Sequence, residues 1–550
     1  MVRFLPDGVL CLNQESESLL ACGQKAGVKI ENNCGGYGTC GKCRVKVLVG
    51  EGNPVTPEEE KFFSKEELAE GWRLACKMIP KSMPGIMEVE VPQEQEQCAE
   101  EQREERRKKE KEELCAFYEK EIKQTTDMTK RIGEKGYGVA VDMGTTNVEL
   151  LLWNLETGAC EGQQVARNEQ GTYGADVVGR MTYALQSGEH YDTLCDTLQN
   201  QIGSMIKNFG KPISQIWIVG NSVMTHFLTR TEITGLAKAP YRNGVRKMRQ
   251  YSGQQLFGLQ DCYVTVFPNI ESFAGGDLLG VIAYVQKLEQ GKNRNVVLID
   301  IGTNGELAVK KGEQWYVTST AAGPAFEGAS ISCGMRAEDG AILGMERDGA
   351  YELIVKGGGV PRGICGSGLI EVVSCLAEEN IISETGYLHT QKEAQELGCT
   401  PALVKRLGTN QNGNYFSFYE KNGKHVALTQ QDIRELQMAK AAISAGVNSL
   451  LETCGMEARQ IEKFYLAGAF GTHLNVEAAI KIGLLPQVEK ENILPVGNAA
   501  LMGASLGLLF PEERACVEQE KNRAIHVTLS ENPAFQEQYF DCFSFSGRKG

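Results

Sequence analysis

Between Cys34 and Cys43 the chain reads Cys34-Gly-Gly-Tyr-Gly-Thr-Cys40-Gly-Lys-Cys43, and another cysteine follows in Trp72-Arg-Leu-Ala-Cys76. Glycine lets such a loop turn sharply and bring its backbone N–H groups close to a small inorganic group. Three close cysteines with one distant partner are the ligand pattern of a [2Fe–2S] cluster, in which each iron takes two thiolates and the usual spacing is C-x4-C-x2-C. Here the first gap holds five residues. A four-cysteine zinc site is the competing reading, but such sites usually pair one CxxC with a second. Cys76 has no such neighbour. The expected metal ligands are therefore Cys34, Cys40, Cys43 and Cys76, and a chain with this loop must build a fold around it.

With 550 residues, several cores can be buried, and three or four domains are expected. The net charge of −14 argues against a general nucleic-acid or anionic-membrane surface, leaving room for one local basic patch. No apolar run reaches the length of a membrane span, and the start, Met1-Val-Arg-Phe-Leu-Pro-Asp-Gly, lacks the apolar core of a signal peptide. Eighteen cysteines without export suit reduced thiols in a cytoplasm, and an exposed cluster suits an anaerobe. Expected partners thus include neither nucleic acid nor membrane.

Taken in order, residues 1–93 read as a small β-rich domain. Arg44-Val-Lys-Val-Leu-Val and Met87-Glu-Val-Glu-Val alternate as half-buried strands do. Thr56, followed by Pro57 and acids, predicts a helix start. Over 94–135 the composition shifts to Glu100-Glu-Gln-Arg-Glu-Glu-Arg-Arg-Lys-Lys-Glu-Lys-Glu-Glu, rich in opposite charges three or four apart. This predicts a solvated helical linker, serving either as a boom that lets the first domain swing or as a plain spacer.

Beyond it one design occurs twice. Tyr137-Gly-Val-Ala-Val-Asp142-Met-Gly144-Thr145-Thr146 and Asn295-Val-Val-Leu-Ile-Asp300-Ile-Gly302-Thr303-Asn304-Gly-Glu306 each run an apolar strand into Asp, then a glycine turn with hydroxyl or amide groups. Such turns approach phosphates closely and donate to them, while the Asp can hold Mg²⁺ directly or through water. A single copy would be an ordinary hairpin; two copies on apolar strands are far less expected by chance. Lys463-Phe-Tyr-Leu-Ala467-Gly468-Ala469-Phe470-Gly471 reads as a strand entering a small-residue turn with room for a base and ribose. Pro495-Val-Gly497-Asn498-Ala-Ala-Leu-Met-Gly503-Ala504 places small residues at helical spacing for a close helix contact.

In this order the motifs resemble the actin, sugar-kinase and heat-shock-chaperone (ASKHA) superfamily of ATPases. Joined to the cysteine loop, they resemble the reductive activators of corrinoid-dependent methyltransferases over nearly the whole chain. The longer cysteine gap is similar to that of the adrenodoxin-like ferredoxins. The resemblance implies a multidomain α+β and α/β fold: a β-grasp-like ferredoxin domain at 1–93, the helical linker at 94–135, a first ASKHA-like region at 136–294 and a C-terminal ASKHA ATPase region at 295–550. Its implied cofactors are a [2Fe–2S] cluster, ATP and Mg²⁺. Asp142 and Asp300 would position Mg²⁺ and water, with Gly144, Thr145, Thr146, Gly302, Thr303 and Asn304 at the phosphates. Gly468, Ala469, Phe470 and Gly471 would face adenosine, and Glu306 or Glu327 would polarise the attacking water. The implied activity is ATP-dependent return of an inactive Co(II) corrinoid protein, or corrinoid-dependent methyltransferase component, to Co(I), with electrons from a cellular low-potential donor. A homodimer is left open. Cys516 and Cys542 alone in the tail imply a single cluster. The competing readings are an activator of another low-potential enzyme and a redox- or nucleotide-sensing binding protein with slow ATPase. His226 and Cys365 read first as a satisfied structural histidine and a packing thiol.

Overall fold

In the computed structural model the described residues are 1–5, 8–12, 17–28, 30, 36–38, 41–81, 86–92, 100–126, 128, 133–239, 241–302, 304–348, 350–421, 424–529 and 532–545. The N-terminal sheet contains β1 (Val2–Leu5), β2 (Val9–Cys11), β3 (Arg44–Val49), β4 (Trp72–Leu74) and β5 (Met87–Glu90) in the order β2-β1-β5-β3-β4. The β1–β5 pair is parallel and the others are antiparallel, which is the β-grasp arrangement. Alternation decides the faces: Val45, Met87 and Val89 point into a small core with Val2, Phe4 and Leu74, packed under the helix Leu19–Lys25. The helix expected from Thr56 forms only one 3-10 turn, Glu59–Lys61, followed by a short helix Lys65–Ala69. Glu59 turns its side chain into the domain instead of toward water, where it accepts from Thr56 N at 2.9 Å at the start of the turn and also from Arg73.

The first ATPase half is a six-stranded sheet of β6 (Tyr137–Met143), β7 (Asn147–Asn154), β8 (Cys160–Arg167), β9 (Ile213–Gly220), β10 (Arg249–Ser252) and β11 (Tyr263–Val266), ordered β10-β11-β9-β6-β7-β8. The second half begins with β12 (Val296–Ile301), β13 (Gly305–Lys311) and β14 (Gln314–Thr320). Two three-stranded sheets follow: β15 (Ala341–Asp348), β16 (Ala350–Val355) and β17 (Gly363–Ile364), then β18 (Leu407–Asn410), β19 (Gly413–Lys421) and β20 (Lys424–Thr429). Finally β21 (Lys463–Ala467), β22 (Ile493–Pro495) and β23 (Ala524–His526) complete a second six-stranded sheet, β22-β21-β12-β13-β14-β23. The duplication is visible in the pairing. β6-β7-β8 and β12-β13-β14 are antiparallel meanders, and β9 and β21 add in parallel to β6 and β12.

Two helices connect the halves. Gly276–Leu288 and Ala499–Leu509 cross where a Cβ on Gly503 would lie 2.1 Å from the Gly280 carbonyl oxygen. Only glycine permits that approach, as the small residues at helical spacing foretold. The charged linker does form a helix, Glu100–Thr125. It is not solvated throughout: Cys115, Tyr118 and Ile122 are buried in the same core as Trp153, Trp217, Trp315 and Leu508. Three apolar side chains at helical spacing dock its C-terminal turns, so a swinging boom cannot include them. Among the described residues, no helix is long and apolar enough to cross a membrane.

Candidate functional site: a cysteine pair and an acidic interlobe cleft

Cys43 immediately precedes β3 and Cys76 follows β4 by one residue. The antiparallel pair sets them side by side, with Arg44 opposite Leu74 and Ala75 N donating to Cys43 O at 2.8 Å. Their sulfurs lie 3.3 Å apart. Two thiolates at about 2.3 Å from one tetrahedral metal sit roughly 3.8 Å apart, so these two fit one iron of a [2Fe–2S] cluster with only a small adjustment. Cys34 and Cys40 lie outside the described residues. The loop's geometry fits too: Gly41 has φ +65°, and a Cβ there would strike the Phe62 ring at 2.4 Å. Beneath the pair, Glu59 accepts from Arg73 Nε at 2.8 Å and Nη2 at 2.9 Å, and from Leu74 N at 3.0 Å. Burial raises the Glu59 carboxyl, but the Arg73 guanidinium and the backbone donors outweigh it and hold it below its ordinary value. This ion pair fixes the strand that delivers Cys76.

In the first ATPase half, Asp142 lies one residue inside β6, which runs on to Met143. The following turn is held from three sides. Asn168 Nδ2 donates to Gly144 O at 2.9 Å, Asn221 Nδ2 donates to Thr145 Oγ1 at 3.0 Å, and buried Arg180 donates to Thr145 O. Thr146 Oγ1 donates to Glu327 Oε2 at 2.8 Å, and Arg336 Nη2 donates to Asn147 Oδ1 at 3.1 Å. Both contacts span the cleft between the halves.

Asp300 likewise lies inside its strand, opposite Glu306 on β13, and Gly302 N closes the next turn on Asn304 O at 3.0 Å. Thr303 lies outside the described residues. Gly468, at φ +85°, is where a Cβ would meet Asp300 Oδ1 at 2.7 Å. The segment expected as a small-residue turn is a short helix, Gly468–Thr472, and its first glycine lets the Asp300 carboxylate sit against backbone. Gly471 packs on Leu466, and the Phe470 ring lies 5.0 Å from that of Phe326; the Ala469 side chain is not among those described. Glu306 is buried, with Oε1 accepting from Ser319 Oγ at 3.0 Å and Oε2 without a hydrogen-bond partner.

Sequence reasoning passed over Asp277, whose signal was an acid directly after Gly275-Gly276 at a helix start. It stands in the first turn of the connecting helix Gly276–Leu288. It also missed Asn498, whose Nδ2 donates to Asp142 Oδ2 at 2.9 Å and to Glu149 Oε2 at 2.8 Å. The acids perturb one another. Burial pushes Asp277 up to about 6, and burial with the Asp277 charge pushes Asp300 up to about 7. Asp142 is raised well above its ordinary value by burial, against the Asn498 donor, and by Asp277, Glu149 and Asp300; Glu306 rises through burial, Asp277 and Asp300. Each of the three Asp residues keeps part of its surface open while lying deep in the cleft. Carboxylates crowded this way fit a divalent cation. Among the described residues no three acids converge as direct ligands.

His226 is fully buried, with Nδ1 2.6 Å from Ser222 O and Nε2 accepting from Gly244 N at 3.0 Å. Burial lowers its pKa, so both nitrogens serve structure. Cys365 caps the helix Gly366–Glu378, its Sγ accepting from Gly368 N at 3.4 Å.

A β-grasp domain carrying a paired-cysteine site, joined to two duplicated halves around an acidic cleft, defines a [2Fe–2S] protein with an ASKHA ATPase. Residues 6–81 match the 2Fe-2S iron-sulfur cluster binding domain, 137–290 the RACo middle region, and 294–549 the C-terminal domain of RACo, the ASKHA domain. The corrinoid activation enzyme RamQ of Eubacterium limosum is 33% identical over 419 residues, covering 73% of this chain and 69% of that protein. The reductase of the Co(II) methylated amine-specific corrinoid protein from Methanosarcina barkeri is 28% identical over 386 residues, 66% of this chain and 68% of its own. The solved structure of a reductive activator for corrinoid,iron-sulfur protein superposes with a TM-score of 0.66 at 26% identity, covering 99% of this chain and 98% of that one. The chain belongs to the RACo family.

Proposed function

We propose that this protein is an ATP-hydrolysing reductive activator, which passes one electron to an inactive Co(II) corrinoid protein and returns it to Co(I). The observation that carries this is the presence, in one chain, of a Cys43–Cys76 pair spaced for iron and an acidic cleft between duplicated ATPase halves, in a molecule similar from end to end to a reductive activator. The cluster supplies a single low-potential electron, near −400 mV in plant-type sites. Cys43 and Cys76 would hold one iron, and Cys34 and Cys40, by spacing, the other.

Co(I) lies below what such a cluster readily reaches, so nucleotide binding must alter how the activator grips Co(II) and Co(I) partners. In the cleft, Asp142, Asp277 and Asp300 would hold hydrated Mg²⁺, which neutralises phosphate charge. The turns at Gly144–Thr146 and Gly302–Asn304 would contact phosphates, with Arg180, Asn168 and Asn221 keeping the first turn in place. Glu327 reaches across to Thr146 and is the better candidate for orienting water; Glu306 lies buried under the turn, bonded to Ser319. We place Gly468–Gly471 at the nucleoside end, with Gly468 also accommodating Asp300. A cellular low-potential donor would supply the electron that the cluster, once bound by these cysteines, passes on. The eighteen cysteines of the chain suit reduced thiols and support a reducing cytoplasm.

The test is anaerobic and optical. Reduced protein with Mg·ATP is mixed with Co(II) corrinoid proteins while the Co(I) band is followed. ATP-dependent Co(I) formation, abolished in Cys43→Ala, is expected. Absence of Co(I) with every corrinoid partner tried, in protein with intact cluster and ATPase, would overturn the reading.

A further inference from the structure

The linker helix ends against the nucleotide cleft, and its polar side chains reach the cleft's own machinery. Buried Tyr118 donates its hydroxyl to Glu149 Oε1 at 3.3 Å, an oxygen that also accepts from Gln163 Nε2 at 2.6 Å. The other oxygen of Glu149 takes a hydrogen bond from Asn498 Nδ2, and the same amide nitrogen donates to Asp142 Oδ2. Asn498 Oδ1 meanwhile caps the second connecting helix by accepting from Leu501 N at 2.9 Å. Both amide hydrogens and the amide oxygen are therefore committed, and the side chain cannot turn without losing a partner. One turn farther along the linker helix, Glu121 Oε2 accepts from the hydroxyl of Tyr284 at 2.7 Å. Tyr284 belongs to the connecting helix that carries Asp277 in its first turn. Glu119 Oε2 adds a contact to Cys160 N at 3.3 Å, and the Phe117 ring lies against Gly497, with 3.6 Å to where a Cβ would stand.

We propose that the C-terminal half of the linker helix transmits the occupancy of the nucleotide cleft to the [2Fe–2S] domain, with Tyr118 as the positioning residue. The inference rests on the reading of the cleft as a Mg·ATP site. Reorientation of the Asp142 carboxylate displaces Asn498, then Glu149, then the Tyr118 hydroxyl. Burial and the neighbouring Glu149 charge keep the Tyr118 phenol protonated, so it acts as a donor. From Tyr118 to Glu100 the helix is a lever of about 27 Å, and a tilt of roughly 10° moves its far end by about 5 Å. The cleft is thereby coupled to the helix that leads back toward the cluster domain, and a bound nucleotide biases that helix's position.

The experiment is hydrogen–deuterium exchange on the full-length, cluster-loaded protein, with and without Mg²⁺ and a non-hydrolysable ATP analogue, together with the analogue's Kd. In the native protein the analogue is expected to change amide exchange in the linker helix about fivefold or more. Tyr118→Phe, which keeps the ring in its core, and Glu149→Gln, which keeps the shape of the relay, are each expected to abolish that change while the Kd stays within about tenfold. An unchanged exchange response in either folded variant would overturn the proposal. So would a native protein that binds the analogue with no response in the helix. Failure of the native protein to bind the analogue at all would instead sink the reading of the cleft on which the proposal rests.

Discussion

Glu59→Gln isolates the ion pair beneath the cluster cysteines. Glu59 has no exposed surface, and both of its oxygens accept from the Arg73 guanidinium, Oε1 also from Leu74 N and Oε2 also from Thr56 N. Glutamine keeps the shape but turns one acceptor into a donor facing donors, leaving Arg73 buried without its counter-charge. Removing one partner of a buried pair costs about 3–5 kcal/mol. Arg73 retains the Asn53 carbonyl at 3.1 Å and the Pro54 carbonyl at 3.4 Å, so the lower end, about 3 kcal/mol, applies. For a domain of this size that corresponds to a Tm decrease of roughly 12–24 °C. The assay is anaerobic heating, with visible circular dichroism following the cluster and far-ultraviolet circular dichroism following the chain. The cluster transition should drop while ATP hydrolysis at low temperature is unchanged. The double replacement Glu59→Leu with Arg73→Met should recover part of the loss, since it removes both charges but leaves Leu74 N and Thr56 N without their acceptor.

The pH dependence has a fixed sign. A carboxyl held below its unfolded value contributes stability that is fully present above the unfolded pKa, about 4.3, and is lost as pH falls through the folded value. The native cluster domain should therefore lose stability on acidification below about pH 4.5, and Glu59→Gln should lack that component. A cluster Tm in Glu59→Gln within about 2 °C of native would refute the reasoning.

At the helix crossing, Gly503→Ala sets two effects against each other. Alanine favours a helix interior by about 1 kcal/mol, but its Cβ would meet the Gly280 carbonyl oxygen at 2.1 Å, and overpacking against backbone costs about 1–3 kcal/mol or more. Net destabilisation of the ATPase part is expected; a raised Tm would show the crossing to be loose. For water orientation, Glu327→Gln should lower kcat for ATP by about 10²-fold, with KM within a few-fold, and an unaltered kcat would remove Glu327 from that role.

What could be read locally was local in its chemistry. The Cys34–Cys43 loop, the paired Asp-x-Gly turns and the Gly/Ala stretch at 497–504 each announce themselves because a ligand set, a tight turn or a close helix contact restricts residue types within a few positions. Alternation likewise fixed β3 and β5, since one face of each had to be buried. The helix expected at Thr56 stops after one 3-10 turn, where Glu59 bonds both Thr56 N and Arg73, a partner drawn from a strand outside the turn. The linker misled for a related reason: its charges set the composition, while Cys115, Tyr118 and Ile122 reveal a docking face only when something apolar lies opposite.

The sequence alone therefore determined which groups this protein handles, an iron–sulfur cluster and a nucleotide, because thiolate spacing and phosphate turns are written in contiguous residues. Only the tertiary structure decided how those sites are wired. Asn498 meets Asp142 and Glu149 across more than three hundred residues of chain, and Tyr118 reaches Glu149 from a helix that reads as a spacer. Such contacts depend on how whole sheets and helices pack, and no local periodicity encodes that distance.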